Sequence, residues 1–409
     1  MVDDEAPLTV TMEADHSGEQ ESADQVALFS LFLAFLRLGL TAFGGPTMVA
    51  YIRELAVTKK HWLSEDSFRD GTALCQSIPG ATAMQTAAYV GLRARGALGA
   101  LATFVGFGLP AFVLMVVLSG VYEASRNLQP VASAFRGLHV IVVALMANAV
   151  VTFGRSTVKN WRDAILACCA GTFLFFRGSP LIAIVASAAV GMVLYRGAKQ
   201  PVTPDRVINR LGGYRTSRPV AIGLVAIFGA LATLFVANRS LFGLATVMIK
   251  ADISAFGGGF ASVPVMLHQV VDVRHWMDSR TFMDGIALGQ VTPGPIVITA
   301  TFVGYLIAGL LGAIVGTVAI FSPSFLMVLA TVPYFDRLQH ASLFRRALRG
   351  ILASFVGLLL AVTLQFGIAA SWSVSAILLA LAAFIALCFL KVDILWVVLV
   401  GAAVSVFVL

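Results

Sequence analysis

Long apolar runs separated by short polar loops make up almost the whole chain after residue 25. A helix that crosses the hydrocarbon core of a bilayer needs about 20 mainly apolar residues, and most of these runs approach that length. The pattern therefore predicts an all-α polytopic membrane protein with about 13 transmembrane spans. The predicted spans cover 26–45, 70–92, 97–120, 131–153, 162–177, 180–195, 219–237, 240–258, 284–307, 310–332, 346–369, 372–389 and 392–409.

Polar stretches divide the chain into larger segments. The first 25 residues are acidic and lack the basic start and apolar centre of a cleaved signal peptide. We predict a disordered acidic tail at 1–25, a first transporter repeat at 26–195, a cytoplasmic linker at 196–218, an extra span at 219–237 and a second transporter repeat at 238–409.

The two halves are related in sequence. Residues 41–81 return as residues 254–295 with an offset of 213 or 214. The Phe-Gly-Gly triplet at 43–45 recurs at 256–258. In membrane proteins built from two related halves, the substrate site usually lies where the halves meet.

The span at 219–237 has no counterpart in the first half. Six spans plus one is an odd number, so the second repeat would enter the membrane from the opposite side, and an inverted pair of repeats is predicted. With a cytoplasmic N-terminus and an outer C-terminus, cytoplasmic loops hold 18 Lys and Arg residues and outer loops hold 8. The loop at 53–69 is the exception, with four basic residues outside, and a re-entrant segment there would remove the conflict.

Composition excludes several other classes of protein. Hydrophobic residues make up 59% of the chain and charged residues 12%, whereas soluble domains carry about 25% charged residues. The net charge of +7 does not indicate nucleic-acid binding, because the basic residues lie in short loops and form no stripe. The sequence has no phosphate loop, metal-ligand spacing or nucleophile motif, so we expect a protein that is not an enzyme and has no cofactor or metal.

Glycines and prolines are predicted to break the apolar helices twice in each half, at 43–47 and 78–82 and again at 256–260 and 292–296. Freed backbone N–H groups at a helix start suit an anion, although Gly and Pro also serve ordinary helix packing in membranes. The substrate-binding residues predicted at the breaks are Phe43, Gly44, Gly45, Pro46, Thr47, Gln76, Pro79, Gly80, Phe256, Gly257, Gly258, Gly259, Gln290, Thr292, Pro293 and Gly294.

Two cations lie inside apolar runs. Arg37 and Lys250 occupy the same place in the two copies, six residues before the Phe-Gly-Gly triplet. A cation at membrane depth costs at least about 2.5 kcal/mol, so we predict that both neutralise an anionic substrate. Structural pairing or snorkelling is the alternative.

Three acids are candidates for proton coupling. Asp252 is the most deeply embedded, whereas Asp70 and Asp284 are matched acids that open spans, where a helix start also explains them. His139 lies within a predicted span, and we expect it to be a satisfied packing residue.

Four segments resemble the chromate ion transporter (CHR) family in its long-chain, two-domain form: RLGLTAFGGP at 37–46, PGA at 79–81, AFGGG at 255–259 and GQVTPGP at 289–295. The resemblance covers nearly the whole chain after residue 25. It implies a multi-pass protein of the cytoplasmic (inner) membrane that exports chromate, an analogue of sulfate, and confers chromate resistance. The copies differ at Gly259, which stands where the first has Pro46, so the halves are expected to contribute unequally.

Other functions stay open at this point. A carrier of sulfate or another tetrahedral oxyanion is the alternative of the same class, and an anion channel is the alternative of another class. The expected partners are the oxyanion and the lipid bilayer, and a homodimer is compatible with the sequence.

Overall fold

The computed structural model describes residues 26–44, 47–196, 217–334 and 341–408. Throughout these ranges the regular secondary structure is helical, with no β-strand, which confirms the predicted all-α class. The acidic tail at 1–25, most of the linker, and Gly45 and Pro46 lie outside the described residues.

The first half of the chain contains seven of the described helices. A π-helical turn, Glu54–Lys59, extends the second of them. The helices are α1 (Leu28–Thr41), α2 (Thr47–Arg53), α3 (Glu65–Ser77), α4 (Thr82–Ser125), α5 (Gln129–Thr157), α6 (Trp161–Phe175) and α7 (Pro180–Leu194).

The second half repeats this order after one additional helix. A π-helical turn, His268–Val273, again extends the short second helix, and 3₁₀ turns lie at Gly259–Ala261 and Ile296–Ile298. The helices are α8 (Ser217–Ala237), α9 (Arg239–Ile253), α10 (Ser262–Leu267), α11 (Ser279–Val291), α12 (Thr299–Thr331), α13 (Ser342–Ala369), α14 (Val374–Cys388) and α15 (Ile394–Val408).

The backbone repeats as the sequence does. Each helix from α1 to α7 has a counterpart from α9 to α15, and α8 is the unmatched one among the described helices. Left-handed glycines recur at matched positions, with φ of +82° at Gly44 and +89° at Gly257, and of +124° at Gly80 and +133° at Gly294. Glycine adopts these angles without the strain that a Cβ brings, so backbone geometry explains why these glycines are duplicated.

The second break in each half reverses the chain. Tyr89 on α4 returns beside α3, where its hydroxyl donates to the carbonyl of Ser67 at 3.0 Å. In the second half the ring of Phe302 on α12 fills the space next to Gly285 on α11. In both halves, therefore, the helix before the break and the helix after it lie side by side and antiparallel.

A further reversal lies inside both α4 and α12. The φ angle is +65° at Gly96 and +57° at Gly309, and a Cβ at either glycine would meet nothing within 4 Å. Past this turn the chain folds back, and the Thr103 hydroxyl donates to the carbonyl of Ala87 at 2.7 Å. Each of these long elements is thus a pair of antiparallel helices.

The first break also turns the chain back on itself. In the second half, Arg274 and Trp276 lie beside Gly243, near the start of α9, so α10 and its π-helical turn return along α9. In the first half Trp62 stacks on Phe35 of α1, with ring centroids 6.4 Å apart. Both halves therefore begin with a helical hairpin.

These reversals correct the predicted course of four spans. The runs at 26–45, 70–92, 240–258 and 284–307 are not single crossing helices, because each contains a break and the helices that precede the breaks have only 13 to 15 residues. Pro and Gly interrupt the hydrogen-bond ladder at these breaks.

Five of the described helical elements are long and apolar enough to cross a membrane, namely α4, α5, α8, α12 with its flanking turns, and α13. The chain is therefore a multi-pass membrane protein, as predicted, and the total of 13 spans stays a prediction.

The last two helices of each half pack against the other half. Helix α5 packs on α14 and α15, and α13 packs on α6 and α7. Small residues permit this contact, since a Cβ on Gly350 would meet the carbonyl of Ser187, and one on Gly137 would meet the hydroxyl of Ser405 at the matched place. A single apolar core consequently runs through both halves.

Candidate functional site

Two hairpin turns contact the opposite half of the molecule. We call residues 78–81 the first tip and residues 292–295 the second tip. At the first tip, the Gly80 N–H donates to the carbonyl of Ala255 at 3.0 Å. At the second tip, a Cβ on Gly294 would lie 2.8 Å from the Cβ of Ala111 on α4. The second break of each half therefore lies at the interface between the halves.

A buried acid fastens the first tip. Asp252, in the last turn of α9, is fully buried, and its carboxylate accepts hydrogen bonds from the Ser324 N–H at 2.7 Å and from the Ser324 hydroxyl at 2.8 Å. The Ser324 oxygen in turn accepts a hydrogen bond from the N–H of Ala81 at 3.0 Å. Pro323, which directly precedes Ser324, disturbs the helical ladder of α12 at this point. One carboxylate thus joins α9, α12 and the first tip.

Unbonded backbone N–H groups lie at the first break of the second half. Gly257 and Gly258 have φ angles of +89° and +109°, and their N–H groups donate to no group in the described ranges. Both residues are half-buried, and they follow closely on Ala255, which the first tip contacts. Consecutive N–H groups in a turn form a concavity that binds anions, so this break can bind the oxygens of an oxyanion.

The matched break of the first half is partly described. The Thr47 N–H donates to the carbonyl of Gly44 at 3.0 Å, and the Thr47 hydroxyl donates to the carbonyl of Phe43 at 2.9 Å. These bonds fix the entry into α2. The next two predicted residues, Gly45 and Pro46, lie outside the described residues.

The residues predicted at the breaks differ in depth. Those of the second tip are buried, as is Gly80, which means that the two tips lie within the protein. The buried residues are Gly80, Thr292, Pro293 and Gly294; the half-buried ones are Phe43, Gly44, Pro79, Phe256, Gly257, Gly258, Gly259 and Gln290; the exposed ones are Thr47 and Gln76.

The two matched cations lie on the outside of the described structure. Arg37 on α1 and Lys250 on α9 are both exposed, and neither forms an ion pair with another described residue. Sequence reasoning placed both inside apolar runs. A helix that is apolar in sequence still has an outer face, and both cations lie on such faces.

The candidate acids also differ. Asp252 and Asp284 are buried, whereas Asp70 is half-buried. Asp284 lies 2.6 Å from the Nε2 of His139 on α5 and accepts a hydrogen bond from the Tyr122 hydroxyl at 2.8 Å. His139 is therefore buried and paired across the two halves.

Sequence reasoning missed Ser324 and Tyr122 altogether. The signal for Ser324 was its place directly after Pro323, which matches Pro110 in the first half. For Tyr122 the sequence holds no comparable signal, because its partner is 162 residues away. In the described ranges, no group of three or more His, Cys, Asp or Glu side chains has the arrangement of a metal site.

Comparison with known proteins identifies relatives over the whole length. An uncharacterized transporter of Methanocaldococcus jannaschii is 42% identical over 98% of this chain and 99% of its own length. A chromate transport protein of Cupriavidus metallidurans is 30% identical over 83% of each chain. An uncharacterized transporter of Bacillus subtilis is 27% identical over 43% of this chain but 89% of its own length, so it is similar to about one half. No solved structure matches this chain.

The profile of the chromate transporter family matches the chain twice, at residues 29–192 and 242–406. The first match corresponds to α1–α7 and the second to α9–α15, and neither includes α8. Each match contains both breaks of its half. Because the two matches together span most of the sequence, this chain belongs to the chromate transporter family, in its long two-copy form.

Proposed function

We propose that this protein is a secondary transporter that exports chromate across the cytoplasmic membrane and thereby confers chromate resistance. One observation carries the proposal: the unbonded N–H groups of Gly257 and Gly258 lie at a helix break that the tip of the other half contacts. Fixed N–H dipoles of this kind stabilise an oxyanion without reorganisation. We also propose that the remaining predicted residues at the breaks, and the exposed cations Arg37 and Lys250, lie along the path of the substrate.

The membrane potential supplies a driving force for this direction. Moving one charge across 100 mV is worth about 2.3 kcal/mol, so a dianion leaves a negative cell interior favourably. Chromate export then needs no nucleotide hydrolysis. Proton coupling through Asp252, Asp70 or Asp284 would add a second driving force.

A direct flux measurement tests the proposal. Inside-out vesicles that contain the protein are expected to take up labelled chromate with saturation and counterflow, with and without an imposed proton gradient. Uptake of sulfate at a higher rate than chromate would favour the sulfate carrier. Current without saturation or counterflow would favour the anion channel, and no uptake of either anion beyond empty vesicles would refute the transporter.

The proposed topology has a cytoplasmic N-terminus, an outer C-terminus and two inverted repeats joined through the extra span at 219–237. Re-entrant hairpins support it, because they return 53–69 to the side where α1 begins and 274–280 to the side where α9 begins. Four basic residues are then assigned to the cytoplasmic side and two to the outer side. The counts of Lys and Arg change from 18 and 8 to 20 and 6, in better agreement with the positive-inside rule.

Cysteine labelling tests this topology at matched loop positions. An impermeant maleimide should label Ser279→Cys in intact cells and Ser64→Cys only in inside-out vesicles. Cys168 and Cys169 are exposed, so both are first replaced by alanine. Labelling of the two positions from the same side would refute the inverted arrangement.

A further inference from the structure

A buried cluster of three polar side chains joins the two halves away from the tips. His139 Nε2 lies 2.6 Å from one carboxylate oxygen of Asp284, and the Tyr122 hydroxyl donates to the other at 2.8 Å. All three side chains are buried. His139 and Tyr122 come from α5 and α4 of the first half, whereas Asp284 comes from α11 of the second.

The surroundings of the cluster are mainly apolar. The rings of Phe135 on α5 and Phe302 on α12 contact Tyr122, with ring centroids 5.1 Å and 5.2 Å away. Among the described residues of α15 and of the turn before α12, no side chain is charged. On α13, which also packs on α11, the ring of Phe366 faces the ring of Phe282, with centroids 6.3 Å apart.

The charged residues nearest the cluster along the chain lie at the end of α4, at the start of α11 and on α5, where the exposed Arg136 precedes His139 by one turn. Asp278, at the start of α11, is exposed and accepts a hydrogen bond from the Thr281 N–H at 2.8 Å. Arg126, one turn beyond Tyr122, is exposed. The neighbouring Arg280 donates to the carbonyl of Ala369 at 2.9 Å. The buried acid therefore lies about two turns from solvent, a short route for a proton.

We propose that His139 and Asp284 form a proton-binding site whose occupancy is linked to the arrangement of the two halves. This rests on the proposed function, because it assigns the coupling ion of that transport. In the arrangement described here, the Tyr122 hydroxyl donates to one carboxylate oxygen of Asp284. An ionised carboxylate 2.6 Å from His139 Nε2 requires a proton on that nitrogen, and this is the state with one proton in the pair. A second proton would bond to Asp284, remove the charge that attracts His139, and favour separation of the halves.

The linkage follows from the origin of the three groups. A relative movement of the halves separates His139 and Tyr122 from Asp284, and an acid that loses two donors binds a proton more strongly. Proton binding and the arrangement of the halves therefore change each other's equilibrium by the same factor.

The sequence repeat does not duplicate the pair of histidine and aspartate. Asp70 matches Asp284, but Leu352 stands where His139 would be repeated.

Proton exchange by the purified protein is the test. Protein in weakly buffered detergent solution is titrated between about pH 5 and pH 8 with a pH-sensitive dye, with and without chromate. Wild type is expected to bind more protons over this range than His139→Gln or Asp284→Asn, and to exchange a proton with the medium when chromate is added. Glu123→Gln, an exposed acid next to Tyr122, is the matched control and should behave as wild type.

The outcomes separate the two proposals. If wild type binds and transports chromate but shows the same proton exchange as Asp284→Asn, the proton site is refuted and chromate transport stands. If wild type moves no chromate, the transport proposal fails, while the difference in bound protons still reports on the pair.

A further pair of variants guards against loss of folding. Removing one partner of a buried pair can unfold a protein, whereas His139→Gln combined with Asp284→Asn keeps two neutral groups that can hydrogen-bond. Tyr122→Phe removes a single hydroxyl and should shift the pH dependence of proton binding upward, because the carboxylate loses a donor. An unchanged titration in both variants would overturn the proposal.

Discussion

The two tips occupy matched places in the fold and have opposite chemistry. At the first tip, the Ala81 N–H, the Ser324 hydroxyl and the Asp252 carboxylate form a buried chain of hydrogen bonds. At the second tip, all three positions lack the corresponding group. They hold Pro295, which has no N–H, Ala111 and Gly39.

This difference shows which features of the two tips the fold requires and which it does not require. Both tips make a close approach to the other half, and both need a left-handed glycine. The apolar second tip demonstrates that the approach does not depend on a carboxylate. The first tip has all three groups of the network, and the second tip lacks all three. We therefore explain the network by function rather than by a requirement of the fold.

The same inequality appears at the proton site. Asp284 has a histidine partner, and its matched residue Asp70 has a leucine at the corresponding place. Duplication gives a transporter two equivalent frameworks, and here the side chains at matched places differ between the copies. The unequal contribution of the halves stays a prediction, and these two places add to the difference between Gly259 and Pro46 on which it rested.

The largest expected effect concerns the break beside the first tip. A leucine side chain at Gly257 would begin 3.1 Å from Leu352 at a φ angle of +89°, and it would add bulk next to the unbonded N–H groups. We expect Gly257→Leu to abolish chromate uptake into vesicles while the protein is still inserted.

The control is Gly309→Ala, where the added Cβ meets nothing within 4 Å. It adds the strain of a backbone conformation that glycine favours, about 1–3 kcal/mol, without filling a site, so transport per molecule should persist. Equal loss in both variants would mean that strain, rather than access to the N–H groups, explains the result. Gly44→Leu makes the same test in the first half.

The sequence predicted the breaks because Gly and Pro at duplicated positions have a direct backbone consequence. It did not predict the direction of the chain after each break. A break shows where a helix ends, but the reversal depends on contacts such as Tyr89 on Ser67, 22 residues apart. Local sequence patterns could not predict the hydrogen bonds between Asp252 and Ser324 for the same reason, because the two residues are 72 positions apart.

The second prediction concerns the stability of the first tip. Asp252→Ala leaves the N–H and hydroxyl of Ser324 without an acceptor, and a buried unsatisfied group costs about 1–3 kcal/mol. We expect the free energy of unfolding in detergent to fall by about 2–4 kcal/mol. Ser324→Ala should cost less in the Asp252→Ala background than alone, because the serine hydroxyl has then already lost its acceptor. A double variant less stable than the sum of the two singles would contradict the comparison.

The third prediction concerns the second tip, where packing alone acts. Gly294→Ala brings a Cβ to 2.8 Å from that of Ala111 and is expected to lower the free energy of unfolding by about 1–3 kcal/mol. Adding Ala111→Gly removes the facing methyl group and should restore the part that is due to the clash. The strain of a left-handed alanine remains. If the second substitution restores nothing, the contact at this tip is not steric, and the contrast between the tips is weaker than proposed.

The smallest expected effect concerns the matched cations. Arg37 and Lys250 are exposed, and two unit charges 4 Å apart in water attract by only about 1 kcal/mol. Arg37→Gln should therefore raise the half-saturating chromate concentration by about fivefold at low salt, and high salt should reduce the difference.

Lys250 lies two residues from Asp252, whose charge opposes its own, so Lys250→Gln should have the weaker effect. In an Asp252→Asn background the Lys250→Gln effect should grow to that of Arg37→Gln, because both copies then hold a cation without a neighbouring acid. Full affinity in both Gln variants at low salt would remove the two cations from the substrate path and leave the backbone N–H groups as its main source of positive charge.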